Sequence, residues 1–516
     1  MPANSSPPLR LHRDARAGTL RSIQYLRALA AFMVAAYHTS HYLKHHRAMD
    51  PLMGWHELGL FGVSIFFAIS GYLMATLVRR TEPWRFMAHR LLRIYPTYLI
   101  VIALLAAVSP ILIDRPFTFD PIGLSLVPAG SRFYALGIEW TLLFEITFYV
   151  GLFAAALCRL TNRLEIVALA WLGLILGCLL VFPQWNMSIT PPIQRLPFHE
   201  ASTGFAAGLL IPAMLKGGWV PRWAFPAGVA LALVMFAMPT SRIASGLISA
   251  VIVAGALRAE PRAATQEFDP LEKLGDWSYA LYLCHVPVIL LALALTPLST
   301  SPILLWFGTM AACLVASALI GSIDIRLYRM GKRIVDAADP RWLRFSITVY
   351  LALFVAIAVY GAVANAFAED RAQREQAILE RLPAEALRDE HATGAAIDAA
   401  KLRGRDSLRG EVTEVLRLDD GALVVRGWFF DAQDSRRSLS VAAFYNGVRL
   451  AVVRPSRKRP QLAAALGRPD LADTAIAFGI AHRIACVNGA QVVVVGLDLA
   501  GGAVVLPGKP TIEKCP

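Results

Sequence analysis

Residues 164–182 read LEIVALAWLGLILGCLLVF, with a single charge at Glu165. A helix that crosses the hydrocarbon core of a bilayer needs about 20 mostly apolar residues, and this stretch meets that need almost unaided. The same texture returns at Tyr98–Val108, Val288–Leu298 and Ile347–Val359. Across 516 residues, 56% are hydrophobic and 17% charged, and the mean hydropathy is +0.52. Soluble domains keep about a quarter of their residues charged. The pattern predicts an α-helical polytopic membrane protein with spans near 22–43, 58–78, 94–113, 136–157, 164–182, 201–215, 222–239, 242–258, 278–297, 302–325 and 345–367.

The loops between these spans differ in charge. One alternate set carries Arg10, Arg13, Arg16, Arg21, Arg79, Arg80, Arg85, Arg159, Arg163, Lys216, Arg222, Arg258, Arg262, Lys273 and the cluster from Arg326 to Arg344; the other carries only Lys44, Arg47, Arg115, Arg132, Arg195 and Arg242. The Lys/Arg-rich set is expected on the cytoplasmic side, which puts the N-terminus inside and everything after the eleventh span outside a bacterial inner membrane. The net charge of +13 is then a topology signal facing anionic lipid, and no nucleic-acid motif accompanies it. Residues 1–21 are polar and basic, and read as a disordered cytoplasmic segment ahead of an uncleaved first span. Cys158, Cys178, Cys284 and Cys313 fall in or beside spans without metal-ligand spacing and read as small packing residues. Cys486 and Cys515 fall in the exported tail, where a disulfide persists.

The tail changes character. Residues 344–367 form the eleventh span, and residues 368–409 are charged and Ala-rich, as in helical linker pieces. Residues 410–516 show short β-branched runs: Leu423–Phe430, Leu439–Tyr445, Val448–Val453, Gln491–Leu497 and Ala503–Leu506. Asp419-Asp420-Gly421 supplies one turn and Asn446-Gly447 a hairpin turn. These features predict a small extracytoplasmic β-sandwich.

Ionisable groups within spans are costly and mark function. Arg27 and His38 share the first span. Eleven residues at 100° each place them on one helix face, about 16 Å apart along the axis. Arg90 and Arg93, spaced i, i+3 at the cytoplasmic start of the third span, can fork onto phosphate oxygens or anchor the topology by snorkelling. Glu145 stands alone in the fourth span and calls for a partner, with His38 or Arg27 the natural candidates. His285 lies within the ninth span, one turn after Tyr282, and this pair is expected to contact substrate. His41, His45 and His46 follow His38 at helical spacings and read as solvated interface residues rather than a metal site. Imidazole is the usual base for a hydroxyl proton near neutral pH, and arginines suit a polyanionic cosubstrate. Together they point to transfer from a phosphate-bearing donor to a hydroxyl acceptor. The residues alone do not separate an acyl donor from a nucleotide-sugar donor.

Five ordered segments sharpen this reading: IQYLRALAAFMVAAYH (23–38), GVSIFFAISGYLM (62–74), HRLLRIYPTYL (89–99), WTLLFEITFY (140–149) and SYALYLCHVPV (278–288). With its Arg-x10-His and Arg-x-x-Arg pairs, the region from about 20 to 325 resembles the acyltransferase 3 family of integral membrane O-acyltransferases. The resemblance implies a ten-helix core at 22–343, acyl-CoA (often acetyl-CoA) as cosubstrate, and a cell-surface or lipid-linked glycan such as a polysaccharide or lipopolysaccharide as acceptor. It implies an essential His38 with Arg27 beside it, engagement of CoA by Arg90 and Arg93, and a family position for Glu145. It implies no metal. Ser64 departs from the pattern, since many members carry Asp before the paired Phe. Many members also append a hydrolase-like domain with a Gly-Asp-Ser motif. That motif is missing here, and Ser407, Ser435 and Ser438 have no catalytic context. GALVVRGWFFD, FYNGVRL and GRPDLADTAIAFGI instead resemble a β-rich accessory domain with Gly-Trp and Arg-Pro-Asp signatures. Two other classes compete. A transporter or flippase for a lipid-linked glycan would show broken helices and repeat symmetry, and neither is evident. A surface receptor would not need eleven spans with internal charges as its anchor.

Overall fold

A computed structural model of the chain describes residues 20–47, 57–112, 118–130, 132, 134–186, 188–236, 241–260, 269–297, 299–417, 422–434, 438–458, 460–471 and 474–508. Eleven helices fall at the eleven expected spans: α1 Arg21–Arg47, α2 Glu57–Leu77, α3 Pro83–Leu112, α4 Trp140–Leu157, α5 Leu164–Val181, α6 Thr203–Lys216, α7 Ala224–Phe236, α8 Arg242–Arg258, α9 Pro270–Leu295, α10 Pro302–Ala337 and α11 Pro340–Leu379. Seven of them (α2–α5 and α9–α11) are long and apolar enough to cross a membrane among the described residues. The chain is a polytopic membrane protein with a C-terminal β domain. The compact units divide between Asn365 and Ala366.

Several boundaries differ from expectation. α3 starts at Pro83, eleven residues before the expected 94. Arg90 and Arg93 therefore lie two to three turns inside the helix rather than at its mouth. The basic segment 83–93 is too polar to be counted as a span, yet no helix breaker interrupts it before Pro96. α9 likewise begins at Pro270, eight residues early. There Asp269 caps the helix by accepting from Leu271 N at 2.9 Å and Glu272 N at 3.3 Å, with Pro270 in the first turn. At the other end of the chain, α11 runs to Leu379, so the first part of the expected linker is a continuation of the last span.

Small residues set how closely the helices approach. A Cβ built on Gly208 of α6 would stand 2.3 Å from the Ala68 carbonyl oxygen of α2 and 3.0 Å from Gly71 Cα. A Cβ on Gly275 of α9 would stand 2.3 Å from the Gln24 carbonyl oxygen of α1. The second contact matters for the site, because it holds α9 against the α1 face that carries Arg27. Gly208→Ala is expected to destabilise the bundle by about 1–3 kcal/mol through overpacking against backbone that cannot step aside. The measurement is the melting temperature in detergent beside Gly394→Ala, whose new Cβ would meet nothing. Equal melting of the two variants would refute the close α2–α6 contact.

The second unit contains a short helix, α12 Glu390–Ala399, and two four-stranded antiparallel sheets. One sheet has the order β1 (Leu408–Arg417), β2 (Ala422–Asp431), β6 (Ala475–Arg483), β5 (Arg457–Lys458). The other has the order β4 (Val448–Val453), β3 (Leu439–Tyr445), β7 (Val492–Asp498), β8 (Gly502–Val505). Phe429, Val441, Tyr445, Phe478 and Val494 belong to one buried cluster that joins strands of both sheets. Asn446 and Gly447 both have positive φ, 50° and 78°, as a two-residue hairpin turn requires. β1 is not among the expected runs, because Glu411, Glu414 and Arg417 interrupt its apolar pattern, while β6 takes in the AIAFGI stretch of the Arg-Pro-Asp signature. The Gly-Trp and Arg-Pro-Asp signatures hold structure. Gly427 leaves room for the Phe478 ring, 2.6 Å from where its Cβ would be. Trp428 packs with Phe430, Leu471 and Ile476. Arg468 donates to both oxygens of Asp470 at 2.8 and 2.7 Å and to the Ala432 carbonyl at 3.0 Å. That guanidinium holds the Asp470 carboxyl below the usual carboxylate range. The expected turn at Asp419–Gly421, Ser435 and the Cys515 half of the expected disulfide lie outside the described residues, as do residues 1–19.

Candidate active site

α1, α2, α3, α4 and α9 enclose a cavity of about 160 Å³. Its polar lining is Arg27, Ser70, Arg90, Arg93, Thr141, Glu145 and Tyr149, with Ser278, Tyr279 and Tyr282. Three expected arginines and the expected glutamate therefore converge on one space. Their partners differ. Arg93 donates to Asp324 Oδ2 at 2.6 Å, and the other oxygen of Asp324 accepts from Thr97 at 2.6 Å. Its guanidinium also lies 4.9 Å from the Tyr279 ring centre. Arg27 donates to Gln24 Oε1 at 3.2 Å, and Gln24 in turn donates to Asp276 at 2.7 Å. Arg90 lies 5.9 Å from the Tyr149 ring centre, and its buried Nε has no hydrogen-bond partner among the described residues. The lining itself carries three guanidiniums and one carboxylate, Glu145, with Asp324 behind Arg93 and Asp276 behind Gln24, an arrangement that suits an anionic occupant.

Glu145 does not meet His38 or form an ion pair with Arg27. Its carboxylate accepts from the Tyr149 hydroxyl, one turn along the same helix. The reason is register: residues i and i+4 share a helix face, and that face of α4 turns toward the arginines. The Glu145–His38 partnership expected from the isolated polar residues is therefore corrected.

His38 does not line this cavity. It pairs with the imidazole of His285, whose Nε2 is 3.1 Å from His38 Nδ1. His285 is fully buried. His285 Nδ1 is 3.2 Å from the Leu281 carbonyl oxygen, and His38 Nδ1 is 3.0 Å from the Val34 carbonyl oxygen. A carbonyl can only accept, so His285 Nδ1 carries a proton. Its Nε2 in the neutral ring is then an acceptor aimed at His38 Nδ1. The proton on His38 is thereby drawn to Nδ1, and Nε2 is left as the free lone pair. Tyr282 links the two centres. It borders the arginine cavity, its ring centre is 5.9 Å from that of His285, and its hydroxyl meets Thr141 Oγ1 at 2.6 Å and donates to the Ile138 carbonyl at 3.1 Å.

The sequence reading missed Asp324, Gln24, Asp276, Tyr149 and Tyr279. Asp324 carried a usable signal, a lone carboxylate in the apolar tenth span, masked by the arginines that follow it. The His38–His285 contact joins residues 247 positions apart and has no signature in spacing. The His41 and His45 rings lie 4.3 Å apart between centres, tilted at 44°, beyond His38, and no group of three or more metal-ligating side chains is assembled among the described residues.

The acyltransferase domain family Acyl_transf_3 matches residues 20–322, which contain the arginines, Glu145 and both histidines, with Asp324 just past the end of the match. The chain belongs to this acyltransferase family. Among curated proteins, the exopolysaccharide production protein ExoZ of Rhizobium meliloti (strain 1021) is 30% identical over 303 residues, 54% of this chain and 89% of ExoZ. BcsY of Komagataeibacter xylinus, whose name describes a membrane-bound transacylase, is 26% identical over 325 residues, 53% of this chain and 73% of BcsY. No solved structure matches the chain. The family match ends at residue 322, so the last span and the β domain lie outside it.

Proposed function

We propose that this acyltransferase moves an acyl group, acetyl in the first instance, from cytoplasmic acyl-CoA to a hydroxyl of a cell-surface glycan. The observation that carries the reading is the pairing of an arginine-lined cavity with an oriented imidazole on its far side. ExoZ, by its name, serves exopolysaccharide production, which supports a glycan acceptor. The Lys/Arg-rich loops support an inner-membrane protein with the arginine end of the bundle in the cytoplasm, where CoA is found, and the β domain outside as an accessory module.

In this mechanism Arg90 and Arg27, neither bonded directly to a carboxylate, take the phosphates of the donor, and Arg93 is held in place by Asp324. His38 Nε2 removes the proton as the acceptor oxygen attacks the thioester carbon. The tetrahedral species collapses, the C–S bond breaks, and the His38 imidazolium returns the proton to the departing thiolate, so ester and CoA thiol leave and the enzyme is restored. His285 acts through His38 by holding its Nδ1–H.

Sidedness tests the whole reading. Arg27 and His38 are about 16 Å apart along an ideal helix, so donor phosphates at one face and acceptor hydroxyl from the other can meet within the membrane. In oriented proteoliposomes, activity is expected only when acyl-CoA is supplied at the face bearing the Lys/Arg-rich loops. Activity only with acyl-CoA at the face bearing residues 368–516 would overturn the orientation or the donor site.

A further inference from the structure

A second cavity lies between α3 and the segment that leads into α4. Tyr98, Thr118, Asp120, Leu124, Tyr134 and Glu139 are among its walls. Its volume is about 10 Å³, the room taken by one water or one hydroxyl group.

The polar groups facing this space are not all satisfied. Glu139 is fully buried. Its Oε1 accepts from Leu136 N at 2.8 Å, while its Oε2 has no partner among the described residues. The Tyr134 hydroxyl is also buried without a partner among the described residues. Asp120, by contrast, is engaged: it caps the Pro121–Leu124 turn and pairs with Arg132 at 3.0 Å. Buried polar groups in native structures are nearly always paired. An orphan carboxylate oxygen and an orphan phenol on one hydroxyl-sized space mark a place for a small group that can donate to the first and accept from the second. A hydroxyl does both. A phosphate or carboxylate is disfavoured by Glu139 itself.

Position ties the cavity to the reacting groups. The Ile138 carbonyl, next to Glu139 in the chain, accepts from Tyr282, and Tyr282 borders His285. Along α4, Glu145 and the arginine cavity lie about 9 Å deeper. The small cavity is thus next to the segment that holds Tyr282, the residue that borders both the arginine cavity and the imidazole pair.

We infer that Glu139 and Tyr134 bind one hydroxyl group of a neutral sugar acceptor, next to the hydroxyl that is acylated, and so select among acceptor sugars. This rests on the glycan-acceptor reading above. The test uses the full-length protein in lipid nanodiscs and methyl glycosides of glucose, galactose and mannose as probes, with binding followed by saturation-transfer NMR. At least one glycoside is expected to bind the wild-type protein. Glu139→Gln and Tyr134→Phe should each weaken it about tenfold, the effect of losing one hydrogen bond to a buried charged or phenolic partner, with acetyl-CoA affinity unchanged. Tyr134→Phe keeps the ring, so its loss of binding does not reduce to misfolding. Equal binding by wild type and both variants, or binding of no glycoside at all, would overturn the inference and leave a cavity for a structural water only. Acetyl-CoA titration of the wild-type protein is read separately, and its failure would count against the donor site rather than this one.

Discussion

His38→Ala is expected to lower acyl transfer by roughly two to four orders of magnitude, the range contributed by a positioned general base, while acetyl-CoA affinity stays near the wild-type value. The two parts of this expectation come from the same geometry. His38 lies outside the arginine cavity and pairs with His285 at 3.1 Å, so its removal takes away the base without touching the donor's arginines. His285→Ala provides the companion test. If His285 holds the His38 proton on Nδ1, its loss lowers kcat and leaves the acceptor KM unchanged. If His285 contacts substrate, as its position in the ninth span suggested, KM rises instead. Wild-type turnover by a correctly inserted His38→Ala protein would remove the imidazole from the mechanism.

The second large effect separates two arginines that look equivalent in the sequence. Arg90→Ala should weaken acetyl-CoA binding by one to two decades, since a hydrogen bond to a charged group contributes about 1.5–3 kcal/mol. It should leave the melting temperature nearly unchanged, because the buried Nε it removes has no partner among the described residues. Arg93→Ala should act mainly on folding. Its guanidinium neutralises Asp324, whose side chain is 4% exposed, and breaking a buried pair by deleting one partner costs about 3–5 kcal/mol. Arg93→Ala/Asp324→Asn should then melt above Arg93→Ala alone, because the stranded charge has gone. The measurements are thermal melts in detergent beside acetyl-CoA titrations. An Arg93→Ala protein that melts like wild type but loses donor affinity as Arg90→Ala does would show both arginines on the phosphates.

Fold class followed from the sequence because bilayer spanning is a one-dimensional requirement. Length and apolarity suffice, and all eleven expected spans have a helix. Where spans were drawn too short, as at α3 and α9, hydropathy had ended before the helix did: a helix continues through Arg90 and Arg93 as readily as through leucine, provided no breaker intervenes. In the tail, the strands with β-branched runs were legible, while β1 was hidden by its charged residues.

The candidate site divides along the same line. Arg27, His38, Glu145 and His285 stood out from sequence alone as ionisable groups in apolar spans, which are costly to place there; Arg90 and Arg93 stood out by their i, i+3 spacing at the start of a span, and Tyr282 by its place one turn before His285. Which of them meet could not be read there. Helical periodicity relates only residues a few positions apart, whereas the decisive contacts join α1 to α9 and α3 to α10 across more than 200 residues. Only tertiary packing decided that Arg93 is held by Asp324 while the Arg90 Nε lacks a partner among the described residues, and that His285 faces His38; the Glu145–Tyr149 bond, by contrast, is local to α4. The sequence determined which side chains the membrane would have to accommodate. The close approach of helices at small residues such as Gly275 decided which of those charges and protons satisfy one another.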